Sequence, residues 1–129
     1  MKKILVVDDQ ESWRVFHSKV LHAMFGDDIV IDTASSGFDG YNKLMENIKE
    51  PYDFMITDMQ METDHLPKMA GEWLIEQAQG LNSNYKTKII IISASPRINL
   101  IAKEYNVDYI RKNDALSSID AYKDIILSY

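Results

Sequence analysis

Ile4-Leu5-Val6-Val7 is an aliphatic, largely β-branched run with no polar residue at alternate positions. A strand that faces water on one side alternates apolar with polar residues, so this run reads as a central strand buried on both faces. Lys88-Ile89-Ile90-Ile91-Ile92-Ser93 is the strongest strand signal in the chain, and Phe54-Met55-Ile56-Thr57 is a further apolar run between Glu50-Pro51 and a polar segment. Strands of this kind belong to parallel sheets covered by helices, which constrains the architecture more than any other feature of the chain.

The intervening segments supply the helices. From Ser12 onward Trp13, Phe16, Val20, Leu21 and Met24 recur at helical spacing, and Gly26 offers a left-handed stop. Ile29-Val30-Ile31 is a second strand. Ser36 is placed to cap a second helix, with Asp39 three positions on and an apolar stripe of Phe38, Tyr41, Leu44, Met45 and Ile48 that must end before Pro51. Gly71, Leu74, Ile75 and Ala78 predict a third helix ending near Gly80, and 98–105 a fourth. Tyr109-Ile110-Arg111-Lys112 reads as strand five, and Leu116, Ile119, Tyr122 and Ile126 as one last amphipathic helix. Polar loops fall at 61–70 and 81–87. Five strands alternating with five helices predict one doubly wound α/β domain over 1–129, with right-handed crossovers and the flavodoxin-like strand order 2-1-3-4-5.

Composition agrees and excludes several function classes. With 129 residues, 46% of them hydrophobic, the chain suits a single domain with a sizeable core. No run approaches the ~18 to 20 apolar residues of a membrane span, and acids follow the first strand too early for a secretory signal, so a cytoplasmic protein without membrane contact is expected. The absence of cysteine removes disulfides, thiolate metal sites and Cys nucleophiles together. A net charge of -6 argues against direct nucleic-acid binding, and any effect on DNA would act through a partner.

In the expected strand order, strands one and three are neighbours at the switch point, and their carboxyl ends carry Asp8-Asp9 and Asp58. Taken singly, each candidate has a bland explanation: a turn-capping Asp, a strand-end hydroxyl at Ser93, a solvated lysine at Lys112. Their placement at four successive strand ends argues against four independent explanations. Two carboxylates ~4 Å apart repel by roughly 4 kcal/mol at an effective dielectric of ~20, so three need a positive group among them. Hard oxygen ligands suit Mg²⁺, Lys112 supplies a second, permanent cation, and Ser93 offers a hydroxyl donor. His17 and His22 read as surface or packing residues, and no His pair has metal-ligand spacing.

In identity and order, Asp8-Asp9 after strand one, Asp58 after strand three, Ser93-Ala94 after strand four and Lys112 after strand five resemble the receiver (CheY-like) domains of two-component response regulators. The resemblance covers the whole chain. It implies that Asp58 accepts a phosphoryl group from a sensor histidine kinase or phosphotransfer protein, with Lys112 and Ser93 assisting. It also implies that Asp8, Asp9, Asp58 and the backbone carbonyl of Gln60 hold Mg²⁺. Ser93 and Tyr109 would form the switch: the hydroxyl moves towards the phosphoryl group and the ring turns inward. Such a chain catalyses only its own phosphorylation and dephosphorylation, is a monomer or weak dimer, and passes the signal to a downstream effector that the sequence does not identify.

The sequence departs from the family pattern in places. Asn113 stands where the family usually has Pro after the strand-five Lys; a non-proline cis bond costs about 2.5 to 4 kcal/mol, so a trans bond or an altered turn is expected. The loop after Asp58 is longer than usual, with 66–71 reading as the family's motif displaced and Ala70 in place of its acid. Residues 62–65 are expected to alter the access of kinase or water to the pocket. The interval from Ser93 to Tyr109 is shorter than usual, which weakens the case for the family's common dimer mode. Trp13, close after the acid pair, is expected to report Mg²⁺ by fluorescence. Two other classes stay open: a phosphorylation-independent receiver-like interaction module, and an Asp-nucleophile phosphohydrolase. The adjacency of Asp8 and Asp9 counts against the second, since those enzymes resemble Asp-x-Asp. A stand-alone receiver, a relay intermediate and an excised piece of a larger regulator all fit the sequence.

Overall fold

The structure, a computed structural model, describes residues 1–59, 70–81, 87–117 and 119–126. In chain order its elements are β1 (Lys2–Val7), α1 (Glu11–Phe25), β2 (Ile29–Ala34), α2 (Gly37–Glu46), β3 (Phe54–Asp58), α3 (Ala70–Leu81), β4 (Lys88–Ser93), α4 (Ile98–Tyr105), β5 (Asp108–Arg111), α5 (Lys112–Ser117) and α6 (Asp120–Ile126). The strands form one parallel sheet in the order β2-β1-β3-β4-β5, as the sequence predicts. Gln60 and residues 62–65 lie outside the described residues.

The unalternated strands are unalternated because both faces are covered. Leu5, Val7, Met55, Ile89 and Ile91 meet Leu74, Ile75 and Ala78 of α3 and Ile98 and Ala102 of α4 on one side of the sheet. Ile4, Val6, Phe54, Ile56, Ile90, Ile92 and Ile110 meet Leu21 of α1, Ala115 of α5 and Tyr122 and Ile126 of α6 on the other. Successive side chains of one strand thus feed opposite cores.

Local signals set the helix ends. The Ser36 hydroxyl caps α2 by accepting from the Asp39 N–H at 3.0 Å, and the Asp39 carboxylate accepts from the N–H of Ser35, one residue before the cap, at 3.2 Å. Gly26 has φ 65° and donates its N–H to the His22 carbonyl, ending α1. No helix among the described residues is long and apolar enough to cross a membrane.

Three expectations need correction. The single last helix is two, each with an acid in its first turn, Asp114 in α5 and Asp120 in α6. The break lets Ala115 face the core in α5 while Leu116, expected on the buried stripe, is 61% exposed. Strand five ends at Arg111, so Lys112 opens α5 instead of closing β5. In α2 the helix stops at Glu46, where Asn47 donates back to the Lys43 carbonyl, and Phe38 and Met45 of the expected stripe are exposed.

Candidate functional site

Sheet register brings the acids together. Val7 of β1 lies opposite Thr57 of β3, so Asp8 leaves its strand beside Asp58, and Asp58 lies opposite Ile92, one residue before Ser93. One carboxylate oxygen from each of Asp8, Asp9 and Asp58 lies within 4.8 Å of the other two. Asp8 and Asp58 are buried and Asp9 is half-buried at the mouth. From the far side, Lys112 Nζ donates to Asp58 Oδ2 at 3.2 Å and sits 3.9 Å from Asp8 Oδ2. The predicted convergence of positions 8, 9, 58 and 112 is therefore observed, although Lys112 arrives from a helix start.

The cluster is electrostatically incomplete. Asp8 Oδ1 accepts from the Gln10 N–H at 2.9 Å, whereas Asp8 Oδ2 is buried with no hydrogen-bond partner among the described residues. Burial pushes the Asp8 carboxyl up from 3.8 to about 6, the nearby Asp58 adds to the rise, and the Gln10 bond and Lys112 oppose it. A buried carboxylate oxygen without a donor, at the meeting point of three acids, suits a divalent cation with oxygen preference. Mg²⁺ fits this donor set: few protein carboxylates, with remaining positions for water or phosphate oxygens.

Two contributors gave no sequence signal. The Arg14 guanidinium donates to the Asp8 carbonyl at 2.8 Å, and the Gln10 main chain holds the Asp8 carboxylate, so the first turn of α1 is fastened to the acid it follows. A main-chain donor has no residue-type signature, and an arginine one turn into an amphipathic helix reads as solvated.

The switch candidates lie where the strand assignments put them. Ser93 is buried and its hydroxyl accepts from the Ser95 N–H at 3.0 Å, a bond that leaves its own proton to donate elsewhere. Tyr109 is 36% exposed, with the Arg111 guanidinium 5.6 Å from its ring centroid, so the ring faces outward. His17 is buried, its Nδ1 paired with the Tyr122 hydroxyl at 2.6 Å, and His22 is exposed.

Gly71 closes the base of the segment that follows β3. Its N–H donates to the Met59 carbonyl at 3.1 Å, and a Cβ there would overlap the main chain of Asp58 and Met59. Only glycine permits that approach.

No family model matches the sequence, and comparison with curated proteins finds no match. Solved structures do match. A mutant receiver domain of the histidine kinase CKI1 from Arabidopsis thaliana is 20% identical with a TM-score of 0.76, over 99% of this chain and 91% of that one. A response regulator receiver protein from Burkholderia phymatum is 19% identical with a TM-score of 0.73, over 99% and 94%. The BeF3-activated DrrB receiver domain is 18% identical with a TM-score of 0.71, over 99% and 96%. At these identities the likeness establishes the fold: the chain has the architecture of a receiver domain.

Proposed function

We propose that this chain is a phosphoacceptor switch of two-component signalling, in which Asp58 receives a phosphoryl group from a phosphohistidine on a sensor histidine kinase or phosphotransfer protein. The observation that carries the reading is the Lys112 ammonium 3.2 Å from Asp58 Oδ2, inside a cluster of three carboxylates at the strand ends. An isolated carboxylate repels a phosphoryl dianion, so acids gathered with a fixed cation make sense only if more positive charge joins them. When bound by Asp8, Asp9, Asp58 and the Gln60 carbonyl, Mg²⁺ supplies that charge at the phosphoryl oxygens.

The chain's own residues do the rest. An Asp58 oxygen forms the O–P bond as the P–N bond of the phosphohistidine breaks, and the electron pair leaves on the imidazole. Lys112 neutralises charge on the transferring group, and the Ser93 hydroxyl donates to one of its oxygens. Phosphoryl transfer needs positioning and electrostatics more than covalent help, which matches a site built from gathered carboxylates and a lysine. The chemistry ends on the protein itself, so this is a switch and not an enzyme turning over a free substrate.

Ser93 and Tyr109 are the two-state element that reads the charge. In the resting arrangement the Ser93 hydroxyl is engaged by Ser95 and the Tyr109 ring lies under Arg111. Capture of Ser93 by the phosphoryl group frees space into which the ring turns, uncovering Arg111.

Incubation with acetyl phosphate and Mg²⁺ followed by intact mass measurement tests the proposal. A labile phosphoryl adduct, absent without Mg²⁺ and in Asp58→Asn, is expected. A folded wild-type protein that takes no adduct from acetyl phosphate or from any phosphohistidine donor would leave only an interaction module.

A further inference from the structure

We infer that Trp13 is a positioning residue for Lys112, holding its ammonium over the acid cluster through the face of the indole. The inference rests on the reading of Lys112 as the cation that serves the phosphoryl group on Asp58.

Lys112 Nζ lies 4.7 Å from the Trp13 ring centroid, within the range at which a cation is attracted to an aromatic face. The lysine needs such a partner. It springs from the first residue of a short helix on a flexible four-carbon stem, and among the described residues its one hydrogen bond is to Asp58 Oδ2, with Asp8 Oδ2 farther off at 3.9 Å. Phosphorylation changes that partner, because an oxygen of Asp58 becomes bonded to phosphorus and the carboxylate loses its charge. The indole is not consumed by the reaction. It therefore holds the ammonium in the resting and in the phosphorylated protein alike.

The indole is itself fixed. Trp13 lies in the first turn of α1, which Gln10 and Arg14 fasten to Asp8. Its ring packs edge-on against Phe16, with centroids 5.6 Å apart, and is tilted over His17 at 5.3 Å. His17 is anchored by the buried Tyr122 hydroxyl of α6 and is kept neutral, since burial and the nearby Lys112 pull it down to about 4. The turn that places the acid thus also places the aromatic face. An aliphatic residue at position 13 would cover the lysine stem equally well, but it would offer the ammonium nothing for the water it displaces.

Two readouts on wild type, Trp13→Phe and Trp13→Met test this. In the Mg²⁺-free, unmodified protein, the ring current is expected to move the Lys112 ε-methylene protons upfield, less so in Trp13→Phe and not at all in Trp13→Met. Phosphorylation by acetyl phosphate is expected to slow roughly three- to thirty-fold in Trp13→Met, with much of the rate recovered in Trp13→Phe. Lys112 ε-protons at their ordinary position in the wild type would overturn the inference, whether or not the variants fold. So would equal slowing by Phe and Met, which would mean that bulk at position 13 matters and its ring face does not. A wild type that takes no phosphoryl group defeats the reading of Asp58 instead, and the proton shift still decides whether the indole holds the ammonium.

Discussion

Replacing Asp8 with Asn is expected to stabilise the metal-free protein at neutral pH while abolishing its response to Mg²⁺. Asp8 is fully buried, and its carboxyl is raised from 3.8 to about 6, chiefly by that burial. At ~1.4 kcal/mol per pH unit, keeping it ionised costs the native state about 3 kcal/mol. Between these two values the native state retains a proton that the unfolded chain has released. The stability Asp8 contributes is therefore whole below about pH 3.8 and lost as the pH rises through about 6. His17 slopes the other way: lowered from 6.5 to about 4, it contributes stability that is whole above 6.5 and lost as the pH falls through about 4. The two partly cancel in the wild type, so the informative quantity is the difference between variant and wild type at each pH. Asn keeps an oxygen for the Gln10 N–H and puts an amide where Asp8 Oδ2 has no donor. In urea titrations with EDTA, Asp8→Asn should gain about 3 kcal/mol on the wild type between pH ~4 and ~7. Mg²⁺ at ~100 times its Kd should restore about 2.7 kcal/mol to the wild type alone. A difference that stays constant across pH would refute the account of Asp8 as an unsatisfied buried acid.

In His17→Phe, the lost Tyr122 bond should appear as a deficit at pH 7 that shrinks by about 3 kcal/mol as the pH falls from 6.5 to about 4, again by urea titration. Gly71→Ala drives a methyl into the Asp58 and Met59 main chain, so it should cost about 1 to 3 kcal/mol and slow phosphorylation as Asp58 shifts. Chemical denaturation and adduct mass kinetics measure both effects. In a Trp73→Phe background, Trp13 emission should change on Mg²⁺ titration of the wild-type acids and stay constant in Asp8→Asn, because the cation redistributes the charges around Lys112 above the ring.

The sheet was legible in the sequence because four consecutive apolar residues without alternation leave few alternatives for Ile4 to Val7 or Ile89 to Ile92, and both runs are buried throughout. The adjacency of Asp8, Asp9 and Asp58 followed, since strand order decides that the ends of β1 and β3 adjoin, whereas Lys112 reaches them from the start of α5 with β4 lying between β5 and β3. What periodicity misses is whether a neighbour covers a face: Phe38 lies on a helical stripe yet is 60% exposed. Nor does it register a break inside one continuous apolar pattern, which is why α5 and α6 read as one helix. The contact of Lys112 with Trp13 is tertiary, and that of Arg14 with the Asp8 carbonyl depends on how the chain turns into α1, so residue spacing encodes neither.

Where Gly71 rejoins Met59, the chain comes back to the point it left. The sheet cannot tell how many residues were spent on the detour. Doubling such an excursion costs only ~0.6 kcal/mol of closure entropy. The pairing of Val7 with Thr57, which sets Asp8 beside Asp58, is made by the strands themselves and does not depend on the length of that excursion. An insertion or deletion between Met59 and Gly71 thus leaves the paired strand ends, and the acids they carry, where they are.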